Sequence, residues 1–130
     1  MCGFVGFMGG STSNMRLDDD AILKRMADMI TYRGPDDAGY WCDEDHHVGL
    51  GHRRLSIVDT SSAGHQPMVS VSSRFVLVFN GEIYNHRDIR DELTLNVPDF
   101  FWRGYSDTET LLAGFDNWGV TATLNRAIGM

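Results

Sequence analysis

The sequence has little cysteine, no cluster of basic residues and no long apolar run, and each shortage excludes a class of protein. Cys2 and Cys42 are the only cysteines in 130 residues, too few for a disulfide-stapled secreted scaffold. A reducing compartment fits better. No stretch approaches the roughly 18 apolar residues of a membrane helix, and the amino terminus lacks the basic-then-apolar order of a signal peptide. These absences make a cytoplasmic protein without a membrane partner the expectation. The formal net charge is −7, and no Lys/Arg patch spans a helix face, which argues against nucleic acid as a partner. The acidity itself needs no explanation beyond solubility. The five histidines are scattered, with no His-x-x-x-His pair on a predicted helix, so no metal site is expected. Gly9-Gly10-Ser11-Thr12 lacks the lysine and spacing of a phosphate-binding loop. There is no internal repeat, low-complexity segment or linker.

What remains reads as one domain, with 42% hydrophobic and 22% charged residues, long enough to bury a core. Cys2 to Met8 reads as a short buried strand in which Gly3 and Gly6 allow close backbone approach. Asp18 to Asp20 suit a helix amino terminus, and Ile22, Leu23, Met26, Met29 and Ile30 then form one apolar stripe, ending before Gly34-Pro35. Strands are predicted at Ala38 to Cys42 and Val48 to His52, joined by Asp43-Glu44-Asp45, and at Phe75 to Phe79, stopping at the turn signal Asn80-Gly81. Thr60 to Pro67 reads as a loop. Helices are predicted at His86 to Leu93, at Asp107 to Trp118 with Ser106 or Asp107 as cap and Gly119 as terminator, and at Thr121 to Arg126. Paired strands with interspersed helices favour an α+β domain with antiparallel sheets. Ile128-Gly129-Met130 carries no cap or polar tail, so a further apolar element is expected to follow it.

Cys2 carries the chemistry. Loss of Met1 would leave a thiol and a free α-amine on one residue. An α-amine titrates at about 7.7–8.0 and can serve as a base near neutrality, which is the amino-terminal form of an activated nucleophile. A lone cysteine is more often structural, so the neighbours matter. Four segments are too polar or too rich in glycine to be packing alone: Arg33-Gly34-Pro35-Asp36-Asp37, Gly51-His52-Arg53-Arg54-Leu55-Ser56-Ile57-Val58-Asp59, Asn80-Gly81-Glu82-Ile83-Tyr84-Asn85 and Ser106-Asp107-Thr108-Glu109. Attack on an amide carbonyl creates an oxyanion, and Asn80-Gly81 offers a side-chain amide and a backbone N–H for it, although an isolated Asn-Gly pair is usually a hairpin turn. Arg53 and Arg54 are candidates for an amino-acid carboxylate, and Asp107, Glu109 and Glu82 for its ammonium group. A cysteine–histidine dyad using His52 or His65 is a weaker alternative to the amine base.

Taken in order, and with Gln66-Pro67 between the second and third, these segments closely resemble the glutaminase domain of glutamine-hydrolysing asparagine synthetases. These are class II glutamine amidotransferases among the N-terminal-nucleophile hydrolases. The resemblance runs from Cys2 to Met130. Sugar-phosphate amidotransferases differ around the segments that here begin at Arg33 and Gly51, and β-lactam synthetases lack the cysteine. The resemblance implies a four-layer αββα sandwich of two antiparallel sheets, here lacking its C-terminal strands, and a separate C-terminal ATP-dependent synthetase domain that is absent from these 130 residues.

The resemblance also implies a chemistry. Cys2 attacks the glutamine side-chain amide, and Asn80 and Gly81 form the oxyanion hole. Arg54 rather than Arg53 holds the substrate carboxylate. Asp107, helped by Glu82, holds the ammonium, and Leu55, Ser56, Ile57 and Val58 line the pocket mainly through their backbone. The ammonia released would amidate aspartate in the synthetase domain, which would use ATP and Mg, whereas this domain needs no cofactor. Self-association into a homo-oligomer is compatible with this reading. Its rivals are a non-catalytic glutamine-binding or assembly module and an enzyme that amidates another carboxylate, such as a sugar acid.

Overall fold

A computed structural model describes residues 2–9, 19–57, 60–97 and 100–130. The chain divides into two compact units, one formed by Met1–Ser56, His65–Pro67 and Val78–Asn80, the other by Ile57–Gly64, Met68–Leu77 and Gly81–Met130.

The first unit is built on three antiparallel strands, β1 (Gly3–Met8), β2 (Asp37–Asp43) and β3 (Val48–Arg54), with β3 in the middle. Gly3 lies opposite Arg53 and Met8 opposite Val48, while Asp37 lies opposite Arg54. The β2–β3 hairpin turns through residues 44–47, with His47 in the left-handed region at φ 50°. Asp43 closes it by accepting from the His46 N–H at 3.1 Å and pairing with the His46 ring at 2.8 Å. Helix α1 (Asp19–Asp28) covers one sheet face through the fully buried Leu23 and Ala27. Burying a leucine side chain in this way contributes about 1.5–3 kcal/mol. Glycines on that face allow close approach: a Cβ on Gly51 would meet Val5 at 3.0 Å and Leu23 at 3.3 Å.

Two expectations change here. β1 is covered on one face only, since Phe4 and Met8 are 53% and 83% exposed. Met29 does not extend the apolar stripe: α1 stops at Asp28, and Met29, on the turn beyond it, is 78% exposed. Asp18 lies outside the described residues.

In the second unit, β4 (Met68–Val69) and β5 (Val76–Leu77) form a short antiparallel pair closed by the Ser70 N–H to Phe75 carbonyl bond at 2.9 Å. The predicted strand Phe75 to Phe79 thus shrinks to two residues. The reason is tertiary: the Phe79 N–H and carbonyl bond to the side chains of Gln66 and His52 rather than to a neighbouring strand.

Helix α3 (Asp107–Trp118) is the core element, buried continuously from Thr108 to Phe115. Its boundaries follow from its caps. Ser106 Oγ accepts the Glu109 N–H at 3.2 Å, and Gly119 ends it at φ 82°, a conformation open to glycine at little cost. Helix α2 (His86–Asn96) packs on α3 through Ile89 and Leu93. Helix α4 (Val120–Leu124) brings Thr123 so close that a Cβ on Gly114 would lie 2.5 Å from it. Residues 128–130 run antiparallel to 82–84, with Tyr84 N–H donating to the Ile128 carbonyl at 2.7 Å and Glu82 and Met130 exchanging bonds at 2.8 and 3.0 Å. The architecture is α+β with two antiparallel sheets, as the strand pairing predicts.

Candidate active site

Cys2 sits at the entrance to β1, half-buried. Because Gly3 pairs with Arg53, the residue before it falls beside the exit of β3. The Leu55 N–H donates to Cys2 Sγ at 3.3 Å, and Sγ lies 3.5 Å from the Leu55 carbonyl. The other end of Cys2 is fixed by Arg33, whose Nε donates to the Cys2 carbonyl at 3.3 Å.

Arg33 belongs to a motif to which sequence reasoning assigned no task. Its loop braces the end of β3. The Asp36 N–H donates to the Arg54 carbonyl at 3.0 Å, and the Asp36 carboxylate accepts the Ser56 N–H at 2.8 Å. Gly34 is what lets the loop approach: a Cβ there would lie 2.4 Å from the Arg53 carbonyl oxygen and 2.5 Å from the Arg54 carbonyl carbon. Its φ of −154° is open to any residue, so the requirement is for space. Arg54 is buried at the strand end, with Leu55 and Ser56 half-buried after it. Arg53 is committed elsewhere. Its guanidinium reaches α1, donating to the Ala27 carbonyl at 3.2 Å and pairing with Asp28.

Asn80 is exposed at the end of a segment anchored through its predecessor. The Phe79 N–H donates to Gln66 Oε1 at 2.7 Å, and His52 Nε2 lies 3.3 Å from the Phe79 carbonyl. A carbonyl only accepts, so Nε2 carries the hydrogen. His52 is buried, and its Nδ1 has no hydrogen-bond partner among the described residues. Burial pushes its pKa below the usual histidine value, and the nearby Arg54 charge adds to the effect, against the opposing pull of the bond to Phe79. His65 pairs with Asp37 at 2.7 Å. Neither histidine partners Cys2, so the cysteine–histidine dyad is not formed.

The second unit holds the remaining candidates. Gly81 and Glu82 are exposed, and Gly81 lies outside the left-handed region, so Asn80-Gly81 is not the two-residue hairpin turn its sequence suggests. Asp107, half-buried at the first position of α3, accepts the Ile83 N–H at 3.0 Å and the Thr108 N–H at 2.8 Å. This ties the segment after Gly81 to the helix. Glu109 is not available to a ligand. Only 2% exposed, it accepts the N–H groups of Arg103 and Gly104 at 2.7 and 3.0 Å, with the guanidinium groups of Arg103 and Arg90 3.4 and 3.8 Å away. Asn85, the last residue of its motif, does not cap α2; its side chain binds the Arg126 carbonyl and the Ile128 N–H at 2.9 and 2.8 Å. Ile57 is exposed, and Val58 lies outside the described residues.

Among the described residues there is no group of three or more His, Cys, Asp or Glu placed to hold a metal ion, and no helix is long and apolar enough to cross a membrane. The family model for the glutamine amidotransferase domain matches residues 1–130. The glutamine-hydrolysing asparagine synthetase 1 of Bacillus subtilis is 42% identical over 118 residues, covering 91% of this chain and 18% of that protein. A putative glutamine-hydrolysing asparagine synthetase of Mycobacterium tuberculosis is 37% identical over 140 aligned positions, covering all of this chain and 21% of its own length. The amidase chry2 of Gibberella zeae is 36% identical over 128, covering 93% and 19%. The chain therefore spans about a fifth of the length of these relatives. With that match over its whole length, the chain belongs to the glutamine amidotransferase domain family.

Proposed function

We propose that this chain hydrolyses the side-chain amide of glutamine to glutamate and ammonia, with Cys2 as nucleophile. The observation that carries the reading is the seat of Cys2 Sγ: it lies at the entrance to β1, against the N–H of Leu55, the residue that follows Arg54. Removal of Met1 frees the Cys2 α-amine, which takes the thiol proton as sulfur attacks the amide carbon. The carbonyl becomes an oxyanion held by the Asn80 side-chain amide and the Gly81 N–H. Collapse breaks the C–N bond, and ammonia leaves with a proton returned from the amine. Water then opens the γ-glutamyl thioester, giving glutamate and the free thiol. Arg54 holds the substrate carboxylate, Asp107 and Glu82 its ammonium, and Leu55, Ser56, Ile57 and Val58 the walls of the pocket. The four-layer αββα sandwich belongs to the same reading.

In the full-length protein this reading gives the ammonia to a C-terminal synthetase domain of the same chain, which uses ATP and Mg to amidate aspartate. The amidase chry2 and the amidase chyE of Penicillium rubens, 36% and 33% identical, favour a second reading in which another carboxylate is the acceptor. The test is glutamate release from glutamine by chain whose amino terminus is shown by mass spectrometry to be Cys2. Release should vanish in Cys2→Ala and in chain that keeps Met1. Full release by Cys2→Ala would overturn the mechanism, and glutamine binding without turnover by the processed chain would leave a binding module.

A further inference from the structure

We infer that His52 and Gln66 form a two-sided clamp on the Phe79 peptide groups that sets the position of Asn80, and so act as positioning residues for amide hydrolysis. The inference rests on the glutaminase reading above. Its physical basis is the treatment of one residue's backbone. Phe79 follows the short β5 and precedes an exposed side chain that must face the reaction. Neither of its peptide groups has a strand to bond to. Instead a buried side chain takes each one: Gln66 Oε1 accepts the N–H at 2.7 Å, and His52 Nε2–H donates to the carbonyl at 3.3 Å.

Both clamping residues are themselves fixed. Gln66 and His52 are 6% and 1% exposed. His52 lies on the central strand, opposite Phe4 on one side and Gly39 on the other. The 65–66 segment passes so close to β2 that a Cβ on Gly39 would lie 2.1 Å from the Gln66 carbonyl oxygen. The peptide plane between Phe79 and Asn80 is therefore referenced to the same sheet that carries Cys2. The orphan Nδ1 of His52 fits this task and not proton transfer. With Nε2–H spent on a carbonyl and Nδ1 meeting no partner among the described residues, the ring serves as a neutral donor.

A clamp that acts through Asn80 makes a kinetic prediction that a merely structural histidine does not. Oxyanion stabilisation is realised in the transition state, and losing one donor typically costs about 10²–10³ in kcat. Relaxing its placement by roughly 1 Å costs about 10²-fold. His52→Leu and Gln66→Leu should each lower kcat for glutamate release by about 10- to 100-fold and leave KM within about twofold. His52→Gln, which keeps an amide donor near Nε2, should recover most of the loss. In an Asn80→Ala background His52→Leu should add almost nothing, because its route to the reaction is already gone. All variants are measured in the full chain with a processed amino terminus, beside denaturant midpoints. If His52→Leu does not fold, His52→Gln and Gln66→Leu carry the comparison. Wild-type turnover with unchanged kcat in the leucine variants, or full additivity with Asn80→Ala, overturns the clamp alone. No turnover by processed wild-type chain overturns the glutaminase reading and the clamp with it.

Discussion

Alanine at Gly34 is the most direct perturbation of the site that leaves every proposed chemical group in place. The added Cβ would sit 2.4 Å from the Arg53 carbonyl oxygen and 2.5 Å from the Arg53 and Arg54 carbonyl carbons. Non-bonded carbons settle about 3.5–4.0 Å apart, so loop and strand end must separate by roughly 1 Å. Nothing flexible can absorb that movement, because all three atoms are backbone. Such overpacking costs about 1–3 kcal/mol of stability. The displaced loop carries Arg33, bound to the Cys2 carbonyl, and Asp36, bound to the Arg54 carbonyl and the Ser56 N–H. The proposed nucleophile and the proposed carboxylate grip therefore lose register together. A shift of that size costs about 10²-fold in rate, equivalent to about 2.7 kcal/mol. Urea denaturation and glutaminase kinetics on Gly34→Ala measure the two effects. The φ of −154° imposes no strain on alanine, so wild-type stability with wild-type kcat/KM would refute the claim that space at Gly34 builds the site.

Other perturbations separate the braces from the chemistry. Glu109→Ala leaves the Arg103 and Gly104 N–H groups and the Arg90 charge without their carboxylate, and should cost about 3–5 kcal/mol in a denaturant titration. Ser106→Ala removes the α3 cap and should cost about 1 kcal/mol with little other change. Acidification should act through His52. Its folded pKa lies below the ordinary 6.5, so the unfolded chain binds the proton more readily. This histidine's contribution to stability is complete above about pH 6.5 and is lost as pH falls through the folded value. Denaturant midpoints at pH 7.5 and 5.5 should therefore fall further for wild type than for His52→Gln, and equal falls would refute the assignment.

The parts of the fold governed by local rules were legible in the sequence. Helix α3 begins and ends where Ser106 and Gly119 dictate, and the β2–β3 hairpin follows its alternation and acidic turn. The misreadings came from tertiary effects. Met29 continues a helical stripe that the chain abandons one residue earlier, and Phe75 to Phe79 has the composition of a strand of which only Val76–Leu77 pairs with another strand. Asn80-Gly81 looked like a hairpin because that pair usually is one, but here the chain runs on through the Ile83 pairing with Gly129 into α2. For the site, Cys2, Arg54 and Asn80 were visible as chemical types. Arg33, Gly34, Asp36 and Gln66 were visible only as members of motifs and His52 only as a rival base for Cys2, because what they do is hold, or make room for, backbone groups distant in sequence.

Under the proposed mechanism, that difference explains why the polar segments are so long for so simple a reaction. A thiol, an amine, two oxyanion donors and two ion-pairing groups need only a handful of residues, but each must be held to a fraction of an ångström where strands end. Strand ends expose peptide groups that the ladder no longer pairs, and buried ones must be satisfied. Here side chains serve as partners: Asp36 for Ser56, Gln66 and His52 for Phe79, Asp107 for Ile83 and Glu109 for Arg103 and Gly104. Each bond satisfies a peptide group, and those to Ser56, Phe79 and Ile83 also fix segments that carry residues of the proposed mechanism. Asp107 has both duties under the proposed mechanism, since the carboxylate assigned to the substrate ammonium already holds the Ile83 N–H with Oδ2. Asp107→Asn should accordingly lose more than the ammonium contact, raising KM through the lost charge and lowering kcat through the loosened segment after Gly81. A change in KM alone would mean that the bond to Ile83 is incidental.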